Sequence, residues 1–285
     1  AATATLLMGI SLLYGWSGSL QIEAFGAALQ YSDPLAMAGA ALIVAALFLK
    51  AAVVPFHAWA PDAYEGASAP VTAFMATVIK AGVLLAALRI FGTTPVLQPM
   101  LGLVAVLPLL SMAWGNLAAI RQVSFRRMIA YSSIGHAGYL FYALLGDGDG
   151  RWQAIVFYLI AYGLMNLLAF AALPRGADDE RQDRLEALKG LYRRRPFAAV
   201  MIAIAMLSLA GLPPLPGFVA KFLVFKNVLA AGHTLYAVAG LVASYLGIYF
   251  YLRVIQYMFM AEQDPAAAHG SPRRYAVAAS LLCLV

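Results

Sequence analysis

The chain has 285 residues, 63% of them hydrophobic and 11% charged, with a mean hydropathy of +0.81 and a formal net charge of +6. A soluble domain of this length cannot enclose so much apolar surface in one core, so composition excludes an ordinary soluble enzyme. The basic residues lie between the apolar runs, which favours topology and lipid contact over nucleic-acid binding, and the single cysteine, Cys283, excludes an intrachain disulfide.

Apolar runs of about twenty residues predict an all-α, polytopic transmembrane bundle forming one membrane domain over 1–285. Eight helices and a truncated ninth are expected, over 1–15, 34–60, 69–91, 99–120, 125–145, 152–173, 196–231, 233–260 and 274–285. The chain opens and closes inside apolar runs, so a piece of a longer protein is expected. The second and seventh spans are too long for one straight crossing, and both carry prolines.

In the second span Lys50 precedes Pro55 and His57. Lys50 is eleven residues before Pro61, and Lys80 is ten after Pro70. At about 1.5 Å per residue both sit roughly 15 Å from the turn they share, near the middle of a hydrocarbon core of about 30 Å. His136 is nine residues beyond Arg127 and reaches a similar depth. Ser132, His136 and Tyr139 follow at i, i+4 and i+7, a polar stripe along one helix face. In the seventh span Pro213, Pro214 and Pro216 must interrupt the helix, with Lys221 five residues beyond the last of them. Broken helices at membrane depth occur where backbone is buried in protein or lines a wet cavity. Two such breaks in corresponding halves point to an inverted repeat with ion sites near the middle.

Between the sixth and seventh helices, residues 174–195 hold seven Lys/Arg and five Asp/Glu. Leu185, Leu188 and Leu191 recur on one face there, which predicts a short amphipathic surface helix; a solvated loop is the alternative. Basic residues fall on alternate connections, so those loops are expected on the cytoplasmic side.

Burial disfavours a lysine's charge, and a second lysine nearby disfavours it further. Lysines at one depth can therefore hand protons on when a partner charge moves. Arg89 and Arg253 read as snorkelling side chains, and Lys226 stands between that reading and an accessory one. His57 either joins the relay or donates to a carbonyl freed by the break. His136 could equally be a packing histidine, and Asn116, Gln153 and Asn166 read as interhelical hydrogen-bonders. The scattered histidines and lone cysteine give no metal or haem constellation, and no nucleotide fingerprint is present.

Three long motifs carry a family resemblance. "KAAVVPFHAWAPDAYEGASAPVTAFMATVIKAG", "NLAAIRQVSFRRMIAYSSIGHAGYL" and "LSLAGLPPLPGFVAKFLVF" occur in the expected order. Together they resemble the antiporter-like, proton-pumping membrane subunits of respiratory complex I. The lysine in "APVTAFMATVIKAG" and the run "AYSSIGHAGY" resemble the subunit N (subunit 2) type. The resemblance implies a fourteen-helix subunit of two inverted five-helix repeats. It gives Lys50 the role of the first broken-helix lysine, Lys80 that of the connecting lysine, His136 that of the central bridge and Lys221 that of the second broken-helix lysine. It implies a glutamate on an earlier helix as partner to Lys50, a role neither Glu23 nor Glu65 can fill. No cofactor is expected in this chain: FMN, iron–sulfur clusters and quinone belong to partner subunits, among them further antiporter-like subunits. The expected site is a bacterial inner membrane. Two further readings stand beside this one: the lysine-sharing component of a multisubunit Na⁺/H⁺ antiporter, and a non-catalytic membrane scaffold.

Overall fold

A computed structural model of the chain describes residues 1–22, 33–91, 98–146, 148–174 and 183–260. The ninth expected helix, over 274–285, lies outside the described residues. Helix α1 spans Ala2–Ser17, and α2, Pro34–Ala51, starts where Asp33 accepts from the backbone N–H groups of Leu35 (2.8 Å) and Ala36 (3.1 Å). Such a cap satisfies donors that a helix start leaves open, and Pro34 at the first position has no donor to lose.

The second span is not one helix. It stops at Ala51, passes through an irregular segment over 52–58, and resumes as α3, Trp59–Gly66. After a turn come α4 (Ala69–Phe74), a π-helical stretch (Met75–Ile79) and α5 (Lys80–Phe91), which together make one crossing-length element. The π stretch ends immediately before Lys80, and π-bulges frequently mark functional sites.

Helices α6 (Gln98–Ile120) and α7 (Phe125–Tyr142) form the central antiparallel pair. They approach closely: a Cβ on Gly138 would stand 2.5 Å from the Pro108 carbonyl oxygen. Small residues at such contacts are how membrane helices gain close packing. Nearly every residue of α7 is buried, so this helix forms the axis of the bundle. Around it stand α8 (Gly148–Ala171), α10 (Pro196–Ala210), α11 (Pro216–Ala230), α12 (Thr234–Tyr245) and α13 (Ile248–Met260). The expected single helix over 233–260 is thus interrupted at 246–247.

Of the segment 174–195, residues 175–182 lie outside the described set. The rest is a 3-10 turn, Leu185–Leu188, and a one-turn helix α9, Leu191–Arg194, rather than one amphipathic helix. Its leucines keep the expected inward face, since Leu185, Leu188 and Leu191 are all buried. Among the described residues, five elements are long and apolar enough to cross a membrane: Pro34–Ala51, Ala69–Phe91, Gly102–Ile120, Gly148–Ala171 and Thr234–Met260. No β-strand occurs among the described residues. The chain is an all-α polytopic membrane bundle with two proline-bearing discontinuous helices.

Candidate functional site

At each break the backbone polar groups freed by the lost helix must find partners, because hydrocarbon offers none. At the first, Ala52 adopts a left-handed conformation (φ 60°) and Val53 N–H reaches back to the Phe48 carbonyl at 2.9 Å. The Val54 N–H donates to Ser111 Oγ at 2.6 Å, and the Trp59 indole donates to the Leu49 carbonyl at 3.0 Å. Pro55 lies within this irregular segment. His57, at its end, accepts from the Trp114 indole N–H through Nε2 at 2.9 Å.

At the second break α10 ends on Gly211, whose φ of 84° suits glycine, and α11 restarts at Pro216. Pro213 and Pro214 fill the interval 211–215, while Pro216 opens the new helix rather than breaking it. Gly217 N–H donates to Ser208 Oγ at 3.1 Å. The Lys221 ammonium donates to the Ala210 carbonyl at 3.0 Å. That carbonyl belongs to the C-terminal end of α10, where the helix dipole is negative, so the break supplies a partial counter-charge.

The π stretch directs Lys80 into the bundle, where it is 3% exposed and donates to the Ser133 carbonyl of α7. The Ser133 hydroxyl accepts from Tyr162 (2.9 Å) and lies 3.3 Å from the Tyr64 hydroxyl. One turn along α7, His136 is bracketed by two phenols: Nδ1 is 2.8 Å from the Tyr158 hydroxyl and Nε2 is 3.0 Å from that of Tyr251. A neutral imidazole has one donor and one acceptor nitrogen, so one tyrosine donates while the other accepts. Moving the ring proton reverses both bonds, which is the behaviour of a proton-conducting node. Tyr251 extends the node to Ser132 Oγ at 2.5 Å.

The imidazole also packs against Tyr162 (ring centroids 4.8 Å apart) and Tyr139 (5.7 Å). Those two rings carry the lysines: Lys80 Nζ is 5.9 Å from the Tyr162 centroid and Lys221 Nζ is 5.0 Å from that of Tyr139. Both ammonium groups are near enough to act electrostatically on the imidazole. The fold thus gathers Lys80, His136 and Lys221 into one buried layer, with tyrosine between each pair.

Lys50 does not join that layer. It ends the last turn of α2, facing the outside of the described bundle. Residue counting gave its depth along the helix but not its direction. Lys226 is likewise exposed. Sequence reasoning passed over Tyr64, Ser111, Ser133, Tyr158, Tyr162 and Tyr251. Only the i, i+4 spacing of Tyr158 and Tyr162 hinted at a shared face. No group of three or more His, Cys, Asp or Glu side chains able to hold a metal occurs among the described residues.

The chain as a whole has relatives among known proteins. The profile of the NADH:quinone oxidoreductase/Mrp antiporter transmembrane family matches residues 1–247. The chain is 44% identical over 263 residues to NADH-quinone oxidoreductase subunit N of Pelobacter propionicus, covering 92% of this chain and 56% of that one. It is 40% identical to subunit N of Geobacter metallireducens, covering 98% and 59%. The chain therefore spans between half and two thirds of the length of these relatives. Its fold is similar to a chain of respiratory complex I from Thermus thermophilus with bound aureothin (TM-score 0.82, 40% identity, 99% of this chain and 63% of that one). It is also similar to a chain of the Mrp complex from Dietzia sp. DQ12-45-1b (TM-score 0.82, 29% identity, 94% and 50%). With the profile running through α12 and past the second break, the chain belongs to the NADH:quinone oxidoreductase/Mrp antiporter transmembrane family.

Proposed function

We propose that this chain is the proton-conducting part of a subunit N-type membrane subunit of NADH:quinone oxidoreductase. The reading rests chiefly on the buried layer in which His136, held between two phenols, stands between Lys80 and Lys221. Neither lysine has a carboxylate partner among the described residues; each donates to a backbone carbonyl instead. Intramembrane ionisable groups are costly and are kept for ion or proton pathways. A proton arriving at one lysine raises the electrostatic cost of charge on the next, so charge passes along the layer instead of accumulating.

In this reading Lys50 takes up the proton at the first break and Lys80 receives it. His136 relays it by exchanging its ring proton, and Lys221 delivers it at the second break. Pro55, Pro213 and Pro214 keep the helices open there, and Ser132, Tyr139 and His57 are accessory. The driving force comes from redox chemistry in partner subunits, which carry FMN, iron–sulfur clusters and the quinone site. The two breaks belong to inverted repeats, and the setting is a bacterial inner membrane with the basic loops cytoplasmic. The 40–44% identity to subunit N relatives, against 29% to the Mrp chain, favours this over an antiporter.

The test is proton pumping in sealed vesicles by the assembled complex carrying Lys50→Ala or Lys80→Ala in the full-length subunit. Both variants are expected to assemble and to lose most coupled turnover. Full pumping by both would sink the proposal. Sodium extrusion in a strain lacking NADH dehydrogenase would instead favour the antiporter.

A further inference from the structure

The third interruption, at 246–247, has no proline, and Gly247 is the one poor helix former in it. Its N–H at Gly247 makes only a short-range bond to the Ser244 carbonyl, at 3.1 Å. The Asn116 amide of α6 donates to the neighbouring Ala243 carbonyl at 2.9 Å. A Cβ on Gly247 would come within 2.9 Å of Asn116 Oδ1, so the broken backbone lies directly on that amide. Irregular backbone at membrane depth is tolerated where protein or water meets its polar groups.

The Tyr139 hydroxyl meets the same place. Tyr139 is 1% exposed, and its oxygen makes no hydrogen bond of good geometry. The polar side chains at the edge of hydrogen-bonding reach are Ser244 and Asn116, both buried. Phenylalanine would pack the same ring without burying an unsatisfied hydroxyl, so the hydroxyl asks for a reason. On its other side this ring carries the Lys221 ammonium and packs against His136.

We infer that Tyr139, Ser244 and Asn116 form a further limb of the proton path, leading from Lys221 to the α12–α13 interruption. The inference rests on the proton-conducting reading above. Lys221 swings from the Ala210 carbonyl and releases a proton to the phenol oxygen. The phenol passes its own proton to the Ser244 hydroxyl, whose proton in turn leaves toward the interruption. Asn116 can only orient this step, through its amide oxygen, and is a positioning residue.

The experiment uses the full-length subunit in the assembled complex, reconstituted in proteoliposomes. Coupled turnover and protons moved per NADH are compared for Tyr139→Phe, Ser244→Ala and Lys80→Ala. Tyr139→Phe is expected to assemble at parent stability while its coupled turnover falls about a hundredfold. A purely structural tyrosine would show the reverse, changed stability with parent pumping. If Tyr139→Phe fails to assemble, Ser244→Ala decides by the same readout. Parent-level pumping by Tyr139→Phe and Ser244→Ala, with Lys80→Ala inactive, overturns the limb and leaves the main reading intact. Parent-level pumping by Lys80→Ala as well overturns both.

Discussion

Lys80 and Lys221 solve one problem in two ways. Lys221 uses the carbonyl freed at the end of α10, whereas Lys80 donates to Ser133 within the continuous helix α7, a carbonyl that already sits in a helical ladder. Neither arrangement neutralises a full charge, which is what the proposed proton exchange requires of both ammonium groups. Lys221→Met keeps the stem and removes the charge. It is expected to assemble with coupled turnover reduced about a hundredfold, read as NADH-driven proton uptake in vesicles; turnover within a factor of two of the parent would contradict the role. These lysines and His136 stood out in the sequence because an ionisable group in an apolar run is conspicuous. The tyrosines did not, since a tyrosine in a span reads first as packing. Tyr251 reaches His136 from 115 residues away, a contact no local pattern encodes.

The broken helices show what short-range sequence can and cannot specify. Prolines announced the first two breaks, because a ring without a donor cannot continue a helix. The interruption at 246–247, which carries Gly247 instead of a proline, and the π stretch before Lys80 had no such signal. Likewise the apolar face of Leu185, Leu188 and Leu191 was legible, but its division into a 3-10 turn and one α turn was not. The second break also demands a glycine for space. A Cβ on Gly217 would lie 1.8 Å from the Ser208 carbonyl oxygen, so backbone must move. Gly217→Ala is expected to destabilise the subunit by about 1–3 kcal/mol or more, seen as a lowered melting temperature of the detergent-solubilised complex. At the first break, Ser111→Ala strands the Val54 N–H in a half-buried setting. The expected cost is about 1–3 kcal/mol, with pumping impaired while α6 stays intact by hydrogen exchange.

Across the molecule, the helices bearing the layer are tied together at both ends. At one end Arg151, buried at the start of α8, donates to the Phe91 carbonyl closing α5 and to the Gly146 carbonyl just beyond α7, each at 2.6 Å. Asn227 of α11 donates to the Gly150 carbonyl beside it at 2.6 Å. The helices of Lys80, His136 and Lys221 thus meet in one knot. At the basic end Arg126 of α7 forms a 3.0 Å ion pair with Asp183 and donates to the Ala67 carbonyl in the α3–α4 turn at 2.6 Å. Asp183 also accepts from Ser124 Oγ, the cap of α7. Arg127 adds Asp62 (2.7 Å) and Glu65 (2.8 Å), more exposed pairs worth about 0–1 kcal/mol each.

The Arg126–Asp183 pair fixes register more than it stabilises. Burial pushes the Asp183 carboxyl above its usual range, against the opposing pull of Ser124 and Arg126. Burial is thus the larger influence on this carboxyl, and in many buried pairs desolvation exceeds the Coulombic gain. A carboxyl with a raised folded value binds its proton more readily folded than unfolded. Stability from this group is then fully present below the unfolded value and is lost as pH rises from there through the folded value. Asp183→Asn should flatten that dependence in thermal melts. Removing one partner is a different matter, because it leaves a buried charge alone: Arg126→Met or Asp183→Leu singly is expected to cost about 3–5 kcal/mol. The double substitution Arg126→Met with Asp183→Leu leaves no orphan charge and should recover most of that loss. If its melting temperature instead stays as low as that of the single variants, the ion pair stabilises more than an apolar pair does and the assignment of a register role is wrong. If stability returns but pumping does not, the connection from the α3–α4 turn through α7 to the 183–195 segment is what holds the two breaks in working alignment.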